Sequence, residues 1–182
     1  VARRLRDAHH IPILDADQVA RDVVAPGTPG LLEIVACFGP DVLAPDGTLD
    51  RAAMRARIAA DPEDRAMLER ITHPRIHNAI TEWLGAQRRA GTPLVGVEAS
   101  LMVETGSWRR YDALVVVSSS PETQLQRILT RDGTPEDVAR ALLATQLPAH
   151  RKEEVATIVL RNDGDLAELL AAADALPARL LA

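Results

Sequence analysis

Aromatic side chains are nearly missing: Phe38, Trp83, Trp108 and Tyr111 make up 2% of the 182 residues. Positive charge is also in deficit, with 21 basic against 26 acidic residues and a formal charge of −5. Single-stranded nucleic-acid binders rely on aromatic stacking platforms and a basic field, so no nucleic-acid partner is expected. Cysteine is limited to Cys37, which excludes an internal disulfide and a multi-cysteine zinc site. Its place within the apolar pattern Leu31, Leu32, Ile34, Val35, Phe38 predicts a core position. No apolar run approaches the roughly 18 residues of a membrane helix, and no signal-peptide pattern opens the chain. A cytoplasmic protein with no membrane partner is the expectation. Lysine is as scarce as cysteine: Lys152 is the sole one. Chemistry that needs a lysine uses that residue or one outside this chain. Val1 is not an initiator methionine, and Val1 to Asp7 has helical character with no capping residue ahead of it. The chain is therefore expected to be a fragment that begins inside an element.

What is present centres on Ile11 to Val24. An apolar run of strand length, Ile11 to Leu14, ends in Asp15 and Asp17, and a helical pattern follows at once. Ligands of open α/β sheets bind at the carboxyl ends of strands. Acids placed there can hold a metal, take a proton, or serve as helix cap and first-turn carboxylate. Both readings stay open at this point.

Before that strand, His9 and His10 fall in a turn and are expected to be solvated. After it, Pro26-Gly27-Thr28-Pro29-Gly30 is a breaker cluster. From there to about Ala90 the pattern is helical. A short helix covers Leu31 to Phe38, Asp50 caps another, and Asp61 with Pro62 starts a third. His73-Pro74 is expected to break that helix before a long amphipathic one runs from Ile76 to Arg89. Strand character returns at Pro93 to Ala99, closing near Glu98, and again at Ala113 to Val117. Glu122 to Arg131 forms a helix with Arg127 and Arg131 one turn apart. Thr134 is expected to cap the next one, Leu147-Pro148 interrupts an arginine-rich segment, and Thr157 to Leu160 is a last short strand. An Ala/Leu-rich helix ends the chain. This order indicates an α/β fold with parallel connections.

Acids at strand ends opposite arginine-bearing helices suit phosphoryl transfer. Carboxylates there position Mg²⁺ or the attacking hydroxyl, and arginines neutralise the moving phosphoryl group. For Arg127 and Arg131 the alternative is a solvated helix face paired with Glu122 and Asp132.

Several ordered segments resemble the dephospho-CoA kinase family. They are Asp15-Ala-Asp17 with the following Gln18 to Gly30, Asp46-Gly47-Thr48-Leu49-Asp50-Arg51, Ile71-Thr72-His73-Pro74, and Ser119 to Arg127. Gln146-Leu147-Pro148 and Asn162-Asp163-Gly164 follow in the family's order. The resemblance implies a P-loop kinase-like three-layer fold: a parallel sheet core, a helical CoA-binding insertion and a helical lid. Segments 1–25, 93–127 and 155–182 would form the nucleotide-binding core, 26–92 the acceptor domain and 128–154 the lid. It also implies transfer of the ATP γ-phosphate to the ribose 3′-hydroxyl of dephospho-CoA, with ATP and Mg²⁺ bound and a monomer as the default. By the same resemblance Asp17 is the catalytic carboxylate, with Mg²⁺ near it, and Arg127 contacts ATP phosphates. Arg131, Lys152 and Asn162 fall on the ATP side, and Asp15, Arg21, His73 and Glu98 on the substrate side. The groups at 17 and 127 are expected to converge on one phosphate.

Three features depart from the family pattern. The Gly-x-x-x-x-Gly-Lys-Ser/Thr phosphate loop is missing from this sequence, and a polypeptide starting at Val1 is accordingly expected to be inactive. Glu98-Ala99-Ser100-Leu101 lacks the usual proline, and Arg161 stands where an aspartate normally precedes the asparagine. Two rival readings follow. One is a CoA- or nucleotide-binding remnant. The other is a phosphatase of the haloacid-dehalogenase type, in which Asp15 would be the nucleophile.

Overall fold

A computed structural model describes residues 1–130 and 133–182 with their side chains. The chain divides into two compact units, Ile13–Ala99 and Val1–Pro12 with Ser100–Ala182.

The first unit begins with strand β1 (Ile13–Asp15), which runs directly into helix α2 (Ala16–Asp22). Strand β2 (Gly96–Glu98) pairs parallel to β1 in the register Ile13↔Gly96, Leu14↔Val97, Asp15↔Glu98. Between the two strands lie helices α3 (Pro29–Phe38), α4 (Arg51–Ala60) and α5 (Pro62–Arg89). Thr28, Asp50 and Asp61 cap them through side-chain oxygens that accept the first free N–H groups. Val24, Ile34, Phe38, Val42, Met54 and Ile71 form the core of this unit. Gly30 is required at the start of α3, because a Cβ there would lie 2.1 Å from the Val23 carbonyl oxygen.

Two sequence expectations are corrected here. Helix α5 continues through Pro74 rather than breaking at His73-Pro74. Proline removes one N–H from the ladder, at a cost of about 3 kcal/mol. Packing along α2, α3 and α4 offsets that cost. Arg75 adds a tie, donating to the Ile71 carbonyl and pairing with Glu33 on α3 at 2.6 Å each. Cys37 is exposed, not buried. The buried stripe of α3 runs through Leu31, Ile34 and Phe38, and Cys37 is turned about 100° from Phe38 around the helix.

The second unit holds helix α1 (Ala2–His9), strand β3 (Val115–Ser118), helix α6 (Pro121–Asp132), helices α7 (Glu136–Ala144) and α8 (Ala149–Glu153), strand β4 (Ile158–Arg161), and helices α9 (Leu166–Asp174) and α10 (Leu176–Leu180). Strands β3 and β4 are parallel, from Val115↔Ile158 to Ser118↔Arg161. Ile158, Leu160, Leu169 and Leu176 form the core, with Val1 and Leu5 packed against it. Pro177, just after the start of α10, fits where the missing N–H has no helical partner. Thr134 does not cap α7: the capping position is Pro135, and no side chain bonds there. The expected solvation of His9 is also overturned. Its Nε2 lies 2.8 Å from Asp174 Oδ1, and Arg4 donates to the same carboxylate through Nε and Nη2. Arg4 first, and His9 after it, hold the Asp174 carboxyl well below the usual carboxylate range.

Among the described residues no helix is long and apolar enough to cross a membrane.

Candidate functional site

In the first unit the carboxyl ends of β1 and β2 present acids side by side. Asp15 and Glu98 close their strands as register partners. Asp15 also caps α2, its Oδ1 accepting from the Asp17 and Gln18 N–H groups at 2.9 and 3.1 Å. The strand ends where it does because this cap starts the helix at the next residue. Asp15 thereby acquires a structural task, whereas Asp17, in the first turn of α2, is exposed at the strand end. Glu98 is exposed as well. Arg21 lies one turn along α2 and donates to Gln18 Oε1 at 3.4 Å. His73 is exposed on α5.

In the second unit the carboxyl ends of β3 and β4 carry a hydrogen-bonded cluster. The Asn162 N–H donates to the Ser118 carbonyl at 2.7 Å, and the Ser120 N–H donates to Asp163 Oδ1 at 2.7 Å. The Ser120 N–H bond, the largest influence on it, holds the Asp163 carboxyl below its ordinary range. Ser120 caps α6 through the Thr123 N–H. Two turns into α6, Arg127 donates from Nη2 to Asn162 Oδ1 at 3.3 Å. The structure thus joins two sequence-expected residues that are 35 positions apart. The partner of Arg127 is this amide, not Glu122. The side chain of Arg131 falls outside the described residues.

Lys152, on α8, pairs with Glu104 at 2.6 Å, with side chains 19% and 21% exposed. Burial alone would raise the Glu104 carboxyl. The Lys152 ammonium, with the Glu104 and Leu147 N–H groups, outweighs that effect and leaves it below the ordinary range.

Sequence reasoning missed Ser118, Glu153 and Glu104. Glu153 accepts from the buried Ser118 hydroxyl and takes a bidentate contact from Arg161 at 2.7 Å. No spacing rule flags it: its partners lie 35 and 8 residues away.

Arginine and amide donors at strand ends can hold a polyphosphate, and an exposed strand-end carboxylate can take a proton. Among the described residues no group of three or more His, Cys, Asp or Glu side chains is gathered as a metal site.

A sequence model of the dephospho-CoA kinase family matches residues 1–168. A dephospho-CoA kinase from Streptomyces avermitilis is 43% identical over 166 residues, covering 91% of this chain and 80% of that protein. A solved structure from Thermus thermophilus has a TM-score of 0.81 at 30% identity, covering 98% of this chain and 89% of its own. The dephospho-CoA kinase from Campylobacter jejuni, 22% identical, shares the fold with a TM-score of 0.70 over 97% of this chain and 90% of its own. That fold is the P-loop kinase α/β architecture, with parallel strands and extensive helix. By the match over most of its length, the chain belongs to the dephospho-CoA kinase family.

Proposed function

We propose that the protein transfers the γ-phosphoryl group of ATP to the ribose 3′-hydroxyl of dephospho-CoA, giving coenzyme A and ADP. The hydroxyl oxygen bonds to the γ-phosphorus as the bond to the ADP oxygen breaks, and the hydroxyl proton passes to a base. The observation that carries the assignment of this base is the division of labour at the end of β1. Asp15 is held in the helix cap and Asp17 is the exposed carboxylate beside it. Asp17 is therefore assigned to orient and deprotonate the hydroxyl. The cap gives Asp15 Oδ1 a structural task in holding the start of α2, which weighs against the dehalogenase-type reading.

Arg127 is assigned to the ATP phosphates, where a guanidinium offsets charge that builds on the transferring group. Asn162 supports it through the hydrogen bond already described, and Arg131 belongs to the same side. Lys152 is assigned to holding α8 near the nucleotide through Glu104. Glu98, Arg21 and His73 are assigned to the acceptor, with the helical block 26–92 as its binding domain and 128–154 as the lid. We place this enzyme in the cytoplasm, as a monomer.

The reaction uses a divalent cation with ATP, which we take to be Mg²⁺. The donor set fits a hard cation shared with phosphates: Mg²⁺ commonly uses one or two carboxylates plus substrate oxygens, and Asp17 supplies one. When bound, it would offset phosphate charge.

Steady-state ADP release with dephospho-CoA as acceptor tests the reading. In the full-length enzyme Asp17→Asn is expected to lower kcat by about 10²- to 10⁴-fold with little change in either KM. Retention of wild-type kcat in that variant would remove Asp17 from the mechanism. Turnover of p-nitrophenyl phosphate with Mg²⁺ that is lost in Asp15→Asn would favour the phosphatase reading.

A further inference from the structure

We infer that Glu153 is a positioning residue for the nucleotide side of this reaction, an inference that rests on the proposed contact of Arg127 with ATP. Its side chain is only 17% exposed, whereas that of Arg161 is 64% exposed. Oε1 accepts from the Ser118 hydroxyl and from Arg161 Nη1, and Oε2 accepts from Arg161 Nη2. Ser118 and Arg161 are register partners and the last residues of β3 and β4. One carboxylate on α8 therefore bridges the ends of both strands.

The consequence is a turn held at three consecutive residues. Position 161 is fixed through its guanidinium on Glu153, position 162 through its N–H on the Ser118 carbonyl, and position 163 through its carboxylate on the Ser120 N–H. With the backbone held this way, the Asn162 amide oxygen meets the Arg127 guanidinium. A mobile turn would leave that arginine to sample several rotamers, and the cost of ordering it would fall on nucleotide binding.

The charge pattern supports the assignment. Arg161 replaces the acid expected from the family resemblance. An aspartate at 161 would set a second negative charge against a largely buried Glu153, which is unfavourable. Arg161 and Glu153 are thus a compensated pair, and bidentate geometry makes it directional.

The experiment compares Glu153→Gln, Arg161→Asp and the exchanged double variant Glu153→Arg with Arg161→Asp in the full-length kinase. KM for ATP, KM for dephospho-CoA, kcat and Tm are measured for each, with Arg127→Ala as reference. Glu153→Gln, nearly isosteric, is expected to raise KM for ATP about tenfold, the scale of one lost charge-assisted hydrogen bond, and to leave KM for dephospho-CoA unchanged. The exchanged variant is expected to recover most of what Arg161→Asp loses. Should Glu153→Gln fold poorly, Ser118→Ala is read by the same KM split. A lower Tm with KM for ATP unchanged, or an equal rise in both KM values, overturns the positioning role. If instead Arg127→Ala leaves the ATP parameters intact, the functional reading of Arg127 fails, whatever Glu153 does.

Discussion

Replacing Lys152 by methionine tests what the sole lysine does. Methionine keeps most of the apolar stem and removes the ammonium that lies 2.6 Å from Glu104. Exposed pairs contribute about 0–1 kcal/mol, and breaking a fully buried one costs about 3–5 kcal/mol. With both side chains about one-fifth exposed, the loss should fall between these limits, near 2 kcal/mol. At this chain length that is a fall in Tm of about 4–8 °C. The pH dependence has a definite sign. Glu104 titrates below its ordinary value in the folded protein, so the pair stabilises fully above the unfolded value of about 4.3. The contribution disappears as pH falls through the lower folded value. Thermal melts by circular dichroism should show a gap between wild type and Lys152→Met at pH 7 and pH 5 that narrows as the pH is lowered further below about 4.3. A gap that persists undiminished in acid, or no gap at pH 7, refutes the pairing argument. An intact Tm accompanied by a large rise in KM for ATP would return the lysine to direct phosphate binding.

Further outcomes concern the fold beneath the site. Ile34→Ala empties a fully buried position and should cost about 2–5 kcal/mol in urea unfolding; a loss under 1 kcal/mol would mean that the α3 core collapses around the gap. Gly30→Ala places a Cβ 2.1 Å from the Val23 carbonyl oxygen, and the forced backbone shift should cost about 1–3 kcal/mol, with neutrality in the same assay as the contrary result. Asp15→Ala removes the α2 cap and should cost about 1 kcal/mol, whereas Asp17→Asn should leave the unfolding midpoint within about 0.5 kcal/mol of wild type. Reversal of that order would exchange the roles of the two carboxylates.

The acidic end of β1 was legible because a short apolar run stops at Asp15 and helical periodicity starts at once. That pattern shows where a strand ends, but not which of two acids is the cap. The choice needed coordinates, since either acid could cap a helix that starts at the residue after it. Caps at Asp50 and Asp61 were readable for a related reason: their bonds span two or three residues. Pro74 misled because its local cost is certain, whereas the packing that offsets it comes from three other helices. Cys37 misled because Leu32 and Ala36 blur the apolar stripe, and only the packed helix shows which side is covered.

Composition, the order of elements and the run of family segments were determined by the sequence alone, since each depends on neighbours a few residues apart or on ordered motifs. The tertiary structure decided the partners: Asn162 for Arg127, Glu104 for Lys152, Asp174 for His9, and Glu153 for Arg161 and Ser118. Two of these contacts, His9 with Asp174 and Lys152 with Glu104, span 165 and 48 positions by residue number. A charged or polar side chain can satisfy itself with any complementary group that folding brings near, so its partner is set by which surfaces pack together.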